Sequence, residues 1–107
     1  MVQLRTGEFS LTDWLGILKQ QTATADRMTE TVAGVLADPA VTEGQVKTLF
    51  VALEEQADFV EKLRLALERL DHDFPVVQAA ERLEERYGDL AARVAERLKA
   101  LRTSAEP

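Results

Sequence analysis

Residues 42–70, TEGQVKTLFVALEEQADFVEKLRLALERL, hold the pattern that decides the fold. Val46, Leu49, Leu53, Gln56, Val60, Leu63, Leu67 and Leu70 recur at alternating steps of three and four, the seam of a helix packed against other helices. Phe50, Ala57, Phe59 and Ala66 widen the apolar arc to roughly 200° at about 100° per residue. An arc that wide predicts two helical neighbours, and makes this helix the expected centre of the domain. Gln56 is the one polar residue on the seam, a substitution that fixes register at some cost in stability. Upstream, Thr42 and Gln45 stand at the two positions of a capping box, with Val41 and Val46 as its hydrophobic staple. The pattern predicts a helix from about Glu43 to Leu70.

The same signals recur on either side. Ser10 with Asp13 makes a second capping box, stapled by Phe9 and Trp14. It opens a helix from about Leu11 to Ala37, ended by Asp38-Pro39 because proline disfavours a helical residue before it. The expected inward face of this first helix is Leu11, Trp14, Leu15, Leu18, Thr22, Ala25, Thr29, Val32 and Leu36. Its middle is thin, since Thr22, Ala25 and Thr29 stand where larger side chains are usual; close approach of a neighbouring helix is the expected reason, and a lined cavity the alternative. Asp73, just ahead of Pro75, opens the third run, from about Phe74 to Arg102. Gly88-Asp89 could end one helix and start another. Yet Val76, Ala80, Leu83, Tyr87, Leu90, Val94, Leu98 and Leu101 keep one phase across it, which predicts a single helix.

Residues 1–9 read as an N-terminal arm, 10–102 as the bundle, and 103–107 as a tail that frays. Each helix is near 28 residues, and connections as short as 38–41 and 71–74 make successive helices antiparallel. The expected fold is therefore all-α, an up-down-up antiparallel three-helix bundle that assembles into a larger helical oligomer. In length and layout, with a tryptophan early in the first helix, this resembles the three-helix repeats of spectrin-type proteins.

Composition narrows the functional classes. A chain of 107 residues with 46% hydrophobic and 30% charged residues is one globular domain, not a disordered one. No stretch approaches the roughly 18 apolar residues of a membrane span, and the N-terminus lacks the layout of a signal peptide. The absence of cysteine removes disulfides and thiolate metal ligands and fits a cytoplasmic location. Arginine outnumbers lysine about two to one, and alanine, leucine and glutamate abound, the usage of a GC-rich prokaryotic genome. A net charge of −6 disfavours nucleic acid and anionic membranes, whose binders usually carry a positive footprint.

Few residue clusters could carry chemistry. Arg82, Arg86, Arg93 and Arg97 fall within about 60° of one another beside the apolar face of the third helix. Glu54, Glu61 and Glu68 recur every seven residues on the second. Folding the two helices together predicts Glu61 near Arg82 or Arg86, and Glu54 near Arg93, as interhelical ion pairs. An exposed arginine stripe that binds anions, nucleic acid or an acidic partner is the rival reading. Glu68, Asp71 and His72 are the only candidate metal ligands, and a metal-dependent enzyme at that turn is a second alternative. With one histidine and no Glu-x-x-His pair, neither a di-iron bundle site nor a catalytic triad is expected, and no cofactor is. The isolated glycines make no phosphate loop. Trp14-Leu15-Gly16 spells the Trp-x-Gly of small helical secretion substrates, but here it falls within a helix and not in an interhelical turn.

Surplus apolar residues are the remaining signal. Ile17, Val51, Leu65 and Val77 project away from the seams, and Phe9, Trp14 and Phe74 cluster near helix starts. Wide apolar arcs on long helices are the usual design of an oligomer or of a groove for a partner helix. The expected role is a non-enzymatic protein–protein interaction module, an adaptor, assembly subunit or small regulator that forms a homodimer or binds another protein. Its expected anchors are Trp14, Ile17, Leu18, Phe59, Leu63 and Leu65.

Overall fold

The structure is a computed structural model, and it describes residues 11–70 and 74–105 of the chain. Its elements are three helices, α1 (Leu11–Ala37), α2 (Glu43–Arg69) and α3 (Phe74–Ala105). Among the described residues there is no strand. The capping residues expected ahead of α1 and α3, Ser10 and Asp73, lie outside the described residues, as does the 1–9 arm. The cap of α2 is formed as its sequence implies. The Gln45 backbone N–H donates to Thr42 Oγ1 at 3.1 Å, and the Thr42 N–H donates to Gln45 Oε1 at 2.9 Å. Val41 and Val46 are both buried beneath that box. In the turn between α1 and α2, the Ala40 N–H donates to Asp38 Oδ1 at 2.8 Å, so the Asp38 side chain takes over where proline stops the helix. At its far end, α3 continues three residues past the expected Arg102, and Thr103 Oγ1 donates back to the Lys99 carbonyl at 2.9 Å.

The helices pack around an apolar interior that, among the described residues, holds no buried polar or charged residue. Trp14, Leu18, Ala25 and Val32 enter from α1; Val46, Leu49, Leu53, Val60, Leu63 and Leu67 from α2; Val76, Ala80, Leu83, Tyr87, Leu90, Val94 and Leu98 from α3. Leu15 and Thr22, expected inward, are exposed, and Leu70 ends exposed beyond the seam. Gln56 is half-buried. The centre of the domain is also not where the widest apolar arc put it. The largest interface joins α2 and α3; α1 packs chiefly on α3 and touches α2 sparingly. Helix α3 is thus the shared element, and part of the α2 arc stays uncovered. The body measures 60 × 29 × 20 Å. Its radius of gyration is 17.1 Å, against about 13 Å for a compact chain of this length.

Helix α3 runs unbroken through Gly88. Gly88 has a helical backbone, and a Cβ placed there would meet nothing within 4 Å beyond its own helical turn. Neither conformation nor space within the chain demands glycine, so its effect on the fold is only the lost helix propensity. Gly88→Ala should raise the stability measured by chemical denaturation by roughly 0.5–1 kcal/mol. A loss of stability would mean that the helix does not persist through residue 88 in solution.

Candidate functional site

The two flanks of α3 make different contacts. Arg86, Arg97 and Ala79 lie on one side of its buried stripe, and Glu84, Gly88 and Ala91 on the other, at about 100° per residue. The arginine flank faces α1. Arg86 Nη2 donates to Asp26 Oδ1 at 2.7 Å and to Thr29 Oγ1 at 3.1 Å. Arg97 Nη2 reaches the Asp38 carbonyl at 3.5 Å, at the end of α1. The expected stripe is therefore divided. Arg86 and Arg97 fasten α1, while Arg82 and Arg93 are exposed and make no ion pair with any described residue. Arg82 and Arg86 line a cleft of about 270 Å³ with Thr22, Ala79 and Leu83, but Asp26 already offsets the charge of Arg86.

The pairs expected between Glu61 and Arg82 or Arg86, and between Glu54 and Arg93, are not formed. Both flanks of α3 border the apolar stripe equally, and packing turns the arginine flank toward α1, away from the acids of α2. Across the α2–α3 interface the polarity is reversed. Arg64 of α2 grips Glu84 of α3 with two guanidinium nitrogens, Nε on Oε1 and Nη2 on Oε2, and its Nη1 lies 3.0 Å from Glu68 Oε2. The bond to Glu84 is the main influence holding the Arg64 guanidinium above its usual range, against the opposing cost of desolvation. At the other end of the interface Arg102 Nε donates to Glu43 Oε2 at 3.0 Å.

Between these two ties lies a groove of about 560 Å³. Phe50 and Ala57 of α2 and Gly88, Ala91 and Ala92 of α3 line it together with Glu54, Asp58, Glu61 and Glu84. The sequence reading missed this site. The signal is present in the sequence, since Ala91 and Ala92 follow Gly88 by about one turn on the flank that carries Glu84.

The six expected apolar anchors separate by burial. Trp14, Leu18 and Leu63 are inside the bundle and belong to its core. Ile17 is half-buried against that core, with Val77. Phe59 and Leu65 are 45% and 41% exposed, and Val51 of the same helix is 45% exposed. Phe74, at the start of α3, is 70% exposed.

Of the expected metal ligands, Asp71 and His72 lie outside the described residues, and Glu68 is engaged by Arg64. No group of three or more acidic, histidine or cysteine residues among the described residues could hold a metal ion. No helix among them is long and apolar enough to cross a membrane. Comparison with family models, curated proteins and solved structures finds no match to this chain.

Tyr87 gives the α1–α3 contact a spectroscopic handle. It is fully buried, and its hydroxyl lies 3.4 Å from both the carbonyl and the Oε1 of Gln21 on α1. Burial pushes the phenol up from its ordinary value, while the nearby cations Arg86 and Arg27 pull it down less strongly. The folded state thus keeps this proton to higher pH than the unfolded chain. Stability linked to it is intact below about pH 10 and is lost as pH rises from there through the folded value. As the chain has one tyrosine, tyrosinate absorbance reads this group alone. It should titrate at higher pH in native protein than in denaturant, and Tyr87→Phe should lose less stability above about pH 10 than the parent. Coincident native and denatured titrations would contradict the burial.

Proposed function

We propose that this chain is a helical protein–protein interaction module and not an enzyme, and that it pairs with a second copy of itself through the outer face of α2. The single observation that carries this reading is the exposure of Val51, Phe59 and Leu65 on a helix that α1 hardly covers. Burying a fully exposed side chain of this kind contributes about 1.5–3 kcal/mol; with 41–45% of each still exposed, pairing recovers somewhat under half of that per residue, counted once for each copy. The surrounding charges are mixed: Lys47 and Lys62 lie on the same helix as Glu55 and Asp58, and Lys62 Nζ stands 3.0 Å from Asp58 Oδ2. A two-fold axis across α2 sets such a surface against itself without a net like-charge clash. The bundle is proposed to run up-down-up. Arg102 meeting Glu43 while Arg64 meets Glu84 supports antiparallel α2 and α3, and Arg86 near Asp26 with Arg97 near Asp38 supports parallel α1 and α3. A cytoplasmic, prokaryotic setting and a role as adaptor, assembly subunit or small regulator belong to the same proposal.

The arginine-stripe alternative is weaker for a physical reason. Two of its four guanidiniums are used to fasten α1, leaving Arg82 and Arg93 against a net charge of −6.

Sedimentation equilibrium tests the proposal. At tens of micromolar the protein should report about twice the 11.9 kDa chain mass. Phe59→Glu should return it to one chain mass with helicity unchanged, because Phe59 is exposed and outside the core. A parent protein that remains at one chain mass would defeat self-association.

A further inference from the structure

The groove between α2 and α3 carries an inference that does not rest on self-association. Its apolar lining is Phe50, Ala57, Ala91 and Ala92, beside the missing side chain of Gly88. Glycine inside a helix is destabilising by about 1 kcal/mol relative to alanine. Gly88 adopts no left-handed backbone, and beyond its own helical turn nothing in the chain comes within 4 Å of where its Cβ would stand. Gly16 and Gly34 share that freedom on α1, but Gly88 lines a groove between two helices. The fold alone gives no reason for its smallness. Close approach of something from outside would supply one.

The rim says what that something carries. Glu54, Asp58 and Glu61 follow one another at steps of four and three along one edge, and Glu84 closes the other. Glu84 is offset by Arg64 and Asp58 by Lys62, whereas Glu54 and Glu61 have no cationic partner among the described residues. Two copies of this groove face to face would set acid against acid, so the groove does not pair with itself. From Phe50 to Glu61 the groove follows α2 for about 16 Å, or three helical turns, at about 1.5 Å per residue. We propose that this groove docks a single basic amphipathic helix, about three turns long, from a different protein. Its small apolar residues would lie over Gly88 and Ala92, and its lysines or arginines would reach Glu54 and Glu61.

A synthetic peptide of about 14 residues, with lysine and small apolar residues patterned as an amphipathic helix, is a sufficient probe. Calorimetry with the full chain should give one peptide bound per chain, with affinity that falls as salt is added. Backbone amide shifts should concentrate at Ala57, Asp58, Gly88 and Ala92. Gly88→Leu fills the groove at a position open to a side chain, and should improve helicity while weakening binding by about tenfold or more. Glu54→Gln with Glu61→Gln should weaken binding and flatten its salt dependence. Glu30→Gln with Glu96→Gln removes the same charge from exposed positions outside the groove and should leave binding unchanged. If Gly88→Leu binds as the parent does, or both double variants weaken binding equally, the peptide is responding to net charge and the groove is not its site. Failure of the peptide to bind at low salt would overturn the inference as well. Sedimentation of Gly88→Leu should match the parent, which separates this result from that of self-association.

Discussion

Helix α3 must present on one cylinder a buried stripe and two unlike flanks, and the rest of the molecule is arranged by how those three surfaces are divided. The stripe from Val76 to Leu98 supplies the interior, and Tyr87 at its middle is the largest fully buried side chain. One flank offers guanidiniums to α1 through Arg86 and Arg97, and the other offers Glu84 to Arg64 of α2. Neither polar tie is the main source of stability, since partly exposed ion pairs contribute about 0–1 kcal/mol. Their effect is orientation: reversed polarity on the two flanks makes it costly to exchange the neighbours of α3.

The thin middle of α1 belongs to the same arrangement. Ala25 is fully buried and Thr29 half-buried, so α1 offers α3 little bulk there. Thr22 and Thr29 turn their hydroxyls onto the carbonyls of Leu18 and Ala25, at 2.9 and 2.8 Å, satisfying those groups within their own helix. Against this slim stretch α3 sets its bulkiest residue, and the Tyr87 hydroxyl reaches Gln21. Small residues on one helix and a tyrosine on the other thus complement each other. The cost is a lopsided bundle, in which α1 leans on α3 and the Phe59 edge of α2 stays open.

The helices themselves were legible in the sequence, because three-four spacing and capping chemistry are local. Spacing alone specifies the α2 core set apart from Gln56, which is half-buried, and Leu70 beyond its end, and unbroken phase specifies the continuity of α3 through Gly88. What spacing does not encode is rotation about a helix axis relative to neighbours. The arginine row and the Glu84 row border the apolar stripe alike, and only the hand of the packing decides which meets which helix. That is why Arg86 pairs with Asp26 and not with Glu61, and why the groove at Gly88 escaped notice. Trp14, Leu18 and Leu63 show the same gap: large apolar residues are equally suited to a core and to an interface, and burial separates them only once the neighbours are placed.

Native-state hydrogen exchange tests most directly whether α3 is the element on which the other two are assembled. In dilute solution, amides of α2 and α3 should exchange only through global unfolding. Those of α1 should exchange through a smaller opening, at a lower free energy and with a weaker denaturant dependence. Exchange of α1 at the same free energy as the other two helices would contradict the account, because α1 would then be as firmly held as the pair it leans on.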